Sequence, residues 1–127
     1  MGDIEKNVVA RFQEKTAEFL LEAMSNLLPE DTGVDGAVIW ISAGEFHGVD
    51  AQHGPRVKVV LGNKITTEGL RESVSVRITD PPVVLGSLPG NIRKQVIRFI
   101  ERNRDVLLRH WNGELGAKET LNLLKPV

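Results

Sequence analysis

Hydrophobic positions recur at helical spacing over residues 4–28. Ile4, Val8, Phe12, Phe19, Ala23 and Leu27 follow steps of three, four or seven, and Val9, Leu20 and Met24 broaden the stripe. With an advance of about 100° per residue these side chains share one arc, which predicts a long amphipathic helix. Glu14, Glu18 and Glu22 line its opposite side, Asp3 is suited to cap it, and Pro29 ends it. The stretch Pro29–Gly36 (PEDTGVDG) reads as turn chemistry and as a linker.

The period then shortens to two. Ala37–Ser42 (AVIWIS) is a short β-branched apolar run, and Arg56–Leu61 (RVKVVL) opens with Arg56 and Lys58 out and valines in. Ser73–Ile78 (SVSVRI) places Val74, Val76 and Ile78 on one face and Ser73, Ser75 and Arg77 on the other. Alternation of this kind predicts an antiparallel sheet with one wet face. A further short strand fits Val83–Leu85, where Asp80-Pro81-Pro82 suits a strand start or an edge. Gly62-Asn63 reads as a hairpin turn between the second and third strands.

Helical spacing returns after Pro89 and Gly90, with Ile92, Val96, Phe99, Ile100, Leu107 and Trp111 as the apolar stripe. Ser87 is suited to cap this helix, Asn103 to break it or to cap a second one over Arg104–Trp111, and Gly113 and Gly116 to close it. Residues 117–125 have room for one more short helix. The expected fold is α+β: one domain over residues 1–127, with a helix at 1–28, a sheet region at 36–86 and a helical region at 87–127. Its sheet has three to four mostly antiparallel strands, packed by two main amphipathic helices.

Composition narrows the function classes. The chain has 127 residues and no cysteine, which removes thiol catalysis, disulfide scaffolds and Cys-based zinc sites. The apolar runs are far shorter than the roughly 20 residues a membrane helix needs, and Met1–Asn7 is too charged for a signal peptide. A cytoplasmic protein with no membrane association is the expectation. The net charge of -1 is a cancellation. Residues 1–35 carry eight acids and three bases, whereas residues 88–112 carry six bases and two acids. An acidic front and a basic back imply mutual pairing or two different partners.

Three groups of residues are candidate sites. Glu45, His47, Asp50 and His53 share one loop, Ala43–Pro55. Imidazole and carboxylate are metal ligands, and His47, Asp50 and His53 are also the candidate acid–base groups of a small hydrolase or nuclease. Their spacings match no defined metal motif, so no cofactor is expected, and a polar surface loop is the plainer alternative. Arg56 and Lys58 share one strand face, with Arg77 on the same face of a neighbour, a presentation that suits phosphate or carboxylate as well as a solvated sheet surface. Lys94, Arg98 and Arg102 make a straight i, i+4, i+8 row. Such a row fits nucleic acid, although the pI near 6.3 and the lack of interleaved aromatics weigh against it. It equally fits the acidic row Glu14, Glu18, Glu22, which has the same spacing, in an intramolecular or dimer contact. Trp40, Trp111 and His110 read as structural. Phosphate-loop, dinucleotide, nucleophile-elbow and zinc-protease motifs are all missing from the sequence.

Three fragments, Gly54–Asn63 (GPRVKVVLGN), Gly86–Pro89 (GSLP) and Arg104–Trp111 (RDVLLRHW), carry a family resemblance. Over residues 53–111 the chain resembles a small bacterial domain-of-unknown-function family with a Pro-His-Phe-His-Val strand, a Gly-x-Leu-Pro turn and a helix ending in Trp. Pro55, Val59, Gly86, Leu88, Pro89 and Trp111 match it, but the family's two strand histidines fall on Arg56 and Lys58 here. The resemblance implies a compact α+β fold and toxin–antitoxin-like or mobile-element gene neighbourhoods. It implies no chemistry. The resulting expectation is a non-catalytic binding or assembly module that forms a homo-oligomer or takes a protein partner, with the hydrolase and nucleic-acid readings as alternatives.

Overall fold

The computed structural model describes residues 24–42, 54–62 and 66–127. The strands are β1 (Met24–Leu27), β2 (Ala37–Ser42), β3 (Arg56–Leu61), β4 (Val74–Arg77) and β5 (Val83–Leu85). They form one antiparallel five-stranded sheet in the order β1-β2-β3-β4-β5. The helices are α1 (Pro29–Thr32), α2 (Thr67–Arg71), α3 (Gly90–Trp111) and α4 (Ala117–Leu123). The α+β class is as expected, with one strand more than the upper expectation.

The extra strand is β1, where the sequence pattern predicts the end of a helix. Four residues cannot distinguish the two periods. Pairing decides: Leu27 sits opposite Ile39 and is fully buried, and Ser25 sits opposite Ile41. The helix pattern before Met24, with Glu14, Glu18 and Glu22, lies outside the described residues. Pro29–Gly36 is no linker. The Asp31 carboxylate accepts from the Leu28 N–H at 2.9 Å and holds the α1 turn, while Thr32 and Val34 are fully buried. Gly33, at φ 77°, closes that turn.

Alternation splits the sheet into two faces. One face presents Leu27, Ala37, Ile39, Ile41, Val57, Val59 and Val76 to Ile92, Val96, Phe99 and Ile100 of α3. The other face carries Val38, Trp40 and Ser42 of β2, Arg56, Lys58 and Val60 of β3, Ser75 and Arg77 of β4, and Val83 and Leu85 of β5. This second face is not simply wet: Val38, Ser42, Arg56 and Val60 are buried. The loop after β3 is no tight hairpin but contains α2. A Cβ on Gly69 of α2 would lie 2.7 Å from Cγ1 of Val60, so this helix packs directly on the second face.

α3 starts at Gly90 with Pro89 as its N-cap residue, and Ser87 caps nothing. Asn103 interrupts α3 as its sequence position implies: its backbone is non-helical (φ -116°, ψ 16°), and two helical segments meet there at a kink. Its side chain explains why. Nδ2 donates to the Phe99 carbonyl at 2.9 Å and to the Lys125 carbonyl at 2.8 Å, and Oδ1 accepts from the Lys125 N–H at 2.7 Å. The amide therefore pins the segment after α4 across α3. A paired C-cap closes α3: the Glu114 N–H donates to Arg109 and the Gly113 N–H to His110, with Gly113 at φ 78°.

Candidate binding surfaces

The cations of α3 fall into two groups. Arg104 is engaged: Nε and Nη2 donate to the Thr79 carbonyl at 3.2 and 2.8 Å, and Nη2 lies 3.6 Å from Asp80. Arg109 lies 3.6 Å from Glu114. Arg93, Lys94, Arg98 and Arg102 are exposed and form no ion pair among the described residues, and the last three of them make the straight row. The apolar stripe of α3 faces the sheet, so this row points away from the core. Its steps of four residues span about 12 Å of helix. The exposed acids Glu101 and Asp105 lie on the same helix.

The second cationic group lies on the second sheet face. The ladder sets Trp40 opposite Lys58, Lys58 opposite Ser75, and Arg56 opposite Arg77. Arg56 is not displayed as the sequence pattern implies. It is buried, its Nη1 donates to the Gly54 carbonyl at 3.4 Å, and its guanidinium sits 5.8 Å from the centroid of the Trp111 ring. Arg56 therefore anchors the start of β3 to the end of α3 by a cation–π contact. Lys58 and Arg77 are half-buried and form no ion pair among the described residues. The indole Nε1 of Trp40 and the Nε of Arg77 are buried donors without an acceptor among the described residues.

His110 is buried at the α3–α4 junction. The Thr120 hydroxyl donates to the Gly116 carbonyl at 2.7 Å, so toward His110 Nδ1, 3.0 Å away, its oxygen accepts. Nδ1 also lies 3.0 Å from the Leu115 carbonyl, which can only accept. The imidazole therefore carries its hydrogen on Nδ1 and joins α3 to α4, the structural role its sequence position implies. Trp111 is likewise buried, while Trp40 is only half-buried.

Glu45, His47, Asp50 and His53 lie outside the described residues. Among the described residues no group of three or more His, Asp or Glu side chains is arranged to hold a metal ion. Among them too, no helix is long and apolar enough to cross a membrane. Sequence reasoning brought Arg56, Lys58 and Arg77 to one face, and it missed Trp40 as a member of that face. The signal was available in the alternation of AVIWIS, which puts Trp40 out of phase with Ile39 and Ile41. No family model, curated protein or solved structure matches the chain.

Proposed function

We propose that the protein is a non-catalytic binding and assembly module, and that the Lys94–Arg98–Arg102 row is the surface through which it engages an acidic segment of a second copy. One observation carries this reading. On a single helix Arg104 and Arg109 are held by acceptors, whereas these three cations stand exposed in a straight row without a carboxylate partner among the described residues. Like charges one helical turn apart repel, and an anionic partner removes that cost. Glu14, Glu18 and Glu22 supply an acidic row of matching spacing in the same sequence.

Nucleic acid is the other anionic polymer to consider. A net charge of -1 and the exposed Glu101 and Asp105 beside the row favour a protein partner. The test compares a peptide covering residues 1–23 with a DNA duplex of matched ionic strength. The peptide binds the wild-type chain and loses about tenfold or more in affinity to an Arg98→Glu, Arg102→Glu chain. Tighter binding of the duplex, with steep salt dependence, would replace the assembly reading by the nucleic-acid one.

A further inference from the structure

We infer that Trp40, Lys58 and Arg77 form a binding site for an oxyanion, a carboxylate or a phosphate, on the sheet face opposite α3. Two observations lead there independently of the α3 row. First, the Trp40 indole nitrogen and the Arg77 Nε are buried and have no acceptor among the described residues. Neither group can accept a hydrogen bond, and leaving a buried donor unmatched is unfavourable, so both call for an acceptor. Second, the ladder places these donors around a third. Lys58 sits opposite Trp40 and opposite Ser75, two residues along β4 from Arg77. Opposite and diagonal neighbours on one face lie within reach of long side chains.

The complement of three donor-only groups, two of them cationic, is a group that only accepts and carries negative charge. A carboxylate or phosphate meets both conditions, whereas a hydroxyl or amide ligand does not. Trp40, Lys58 and Arg77 are each half-buried, so the site is recessed at the surface and not sealed. Recessed donors in a lower effective dielectric bind an anion more strongly than exposed ones. Arg77 supplies the guanidinium fork that matches an oxyanion, Lys58 a point charge, and Trp40 a directional indole N–H. The site requires binding only.

The protein's two tryptophans make the test direct, because its amide correlation spectrum holds two indole N–H signals, assigned with a Trp40→Phe chain. The probes are sodium phosphate and sodium glutarate, with sodium chloride at equal ionic strength as the reference. The inference predicts a saturable shift of the Trp40 indole signal with at least one oxyanion, no comparable shift with chloride, and an unmoved Trp111 signal. The oxyanion that saturates first identifies the source. Arg77→Met weakens that binding about tenfold or more, as expected for loss of a charge-assisted hydrogen bond, and Lys58→Met weakens it less. The spectra of both variants report directly that the fold is retained, and Arg77→Lys, which keeps the charge but not the fork, recovers part of the affinity. A linear shift equal in all three salts would overturn the inference and leave ordinary hydration as the partner of these donors. So would saturable binding that Arg77→Met leaves unchanged.

Discussion

At the scale of single residues, buried polar side chains tie the C-terminal part together. Asn103 is 2% exposed and makes three hydrogen bonds, two of them to the backbone of Lys125. Replacing it with alanine leaves those backbone groups unmatched in a partly buried setting. Asn103→Ala is expected to cost about 1–3 kcal/mol in urea unfolding. It also speeds amide exchange at Lys125 and Val127 more than at Val96 in the core. Uniform exchange rates across these positions would show that Asn103 does not hold the segment. His110 offers a second residue-level check. Long-range nitrogen–proton correlation should find the hydrogen on Nδ1, because Leu115 O accepts there and the Thr120 hydroxyl is already committed to Gly116. A hydrogen on Nε2 would reverse the assigned network.

At the scale of elements, packing reverses what propensity alone implies. Glycine inside a helix normally gains stability on replacement by alanine, by about 0.5–1 kcal/mol. In α2 a methyl group at Gly69 would meet Val60 Cγ1 at 2.7 Å, and Val60 is buried and stiff at its branched carbon. Gly69→Ala is therefore expected to destabilise the protein by about 1 kcal/mol or more in chemical denaturation. A stabilised Gly69→Ala chain would mean that α2 does not rest on β3. The same competition between local pattern and pairing explains what was legible beforehand. β2, β3, β4 and β5 were readable because alternation and turn residues agree with their tertiary pairing. β1 was not, since Met24 and Leu27 continue a helical stripe and only the Leu27–Ile39 pairing makes them a strand. Arg56 was legible as a position on a face but not as an anchor, because its cation–π partner Trp111 lies 55 residues away in the sequence. α2 was hidden for a similar reason: a five-residue helix has too few positions to show a period, and it is fixed by contact with Val60.

At the scale of the whole molecule, the near-neutral net charge conceals two unlike surfaces. One side of the fold carries the exposed row of α3, and the opposite sheet face carries Lys58, Arg77 and Trp40. The acids that balance them are concentrated in residues 1–35. Charge segregation of this kind orients association more than it strengthens it, since each exposed pair contributes under about 1 kcal/mol and salt screens it. Assembly by these rows therefore has a defined signature: it weakens with ionic strength and depends on sign, not on one side chain. The most direct measurement is sedimentation equilibrium on a charge-swap set, at about 0.05 M and 0.5 M salt, which brackets weak and strong screening. It uses the wild-type chain, the Arg98→Glu, Arg102→Glu chain, a Glu14→Lys, Glu18→Lys chain and an equimolar mixture of the two variants. The account predicts that the wild type self-associates at low salt, that each variant alone is driven toward monomer, and that the mixture recovers association through the exchanged charges. A wild-type chain that stays monomeric at low salt would contradict it, as would variants that associate as well as the wild type.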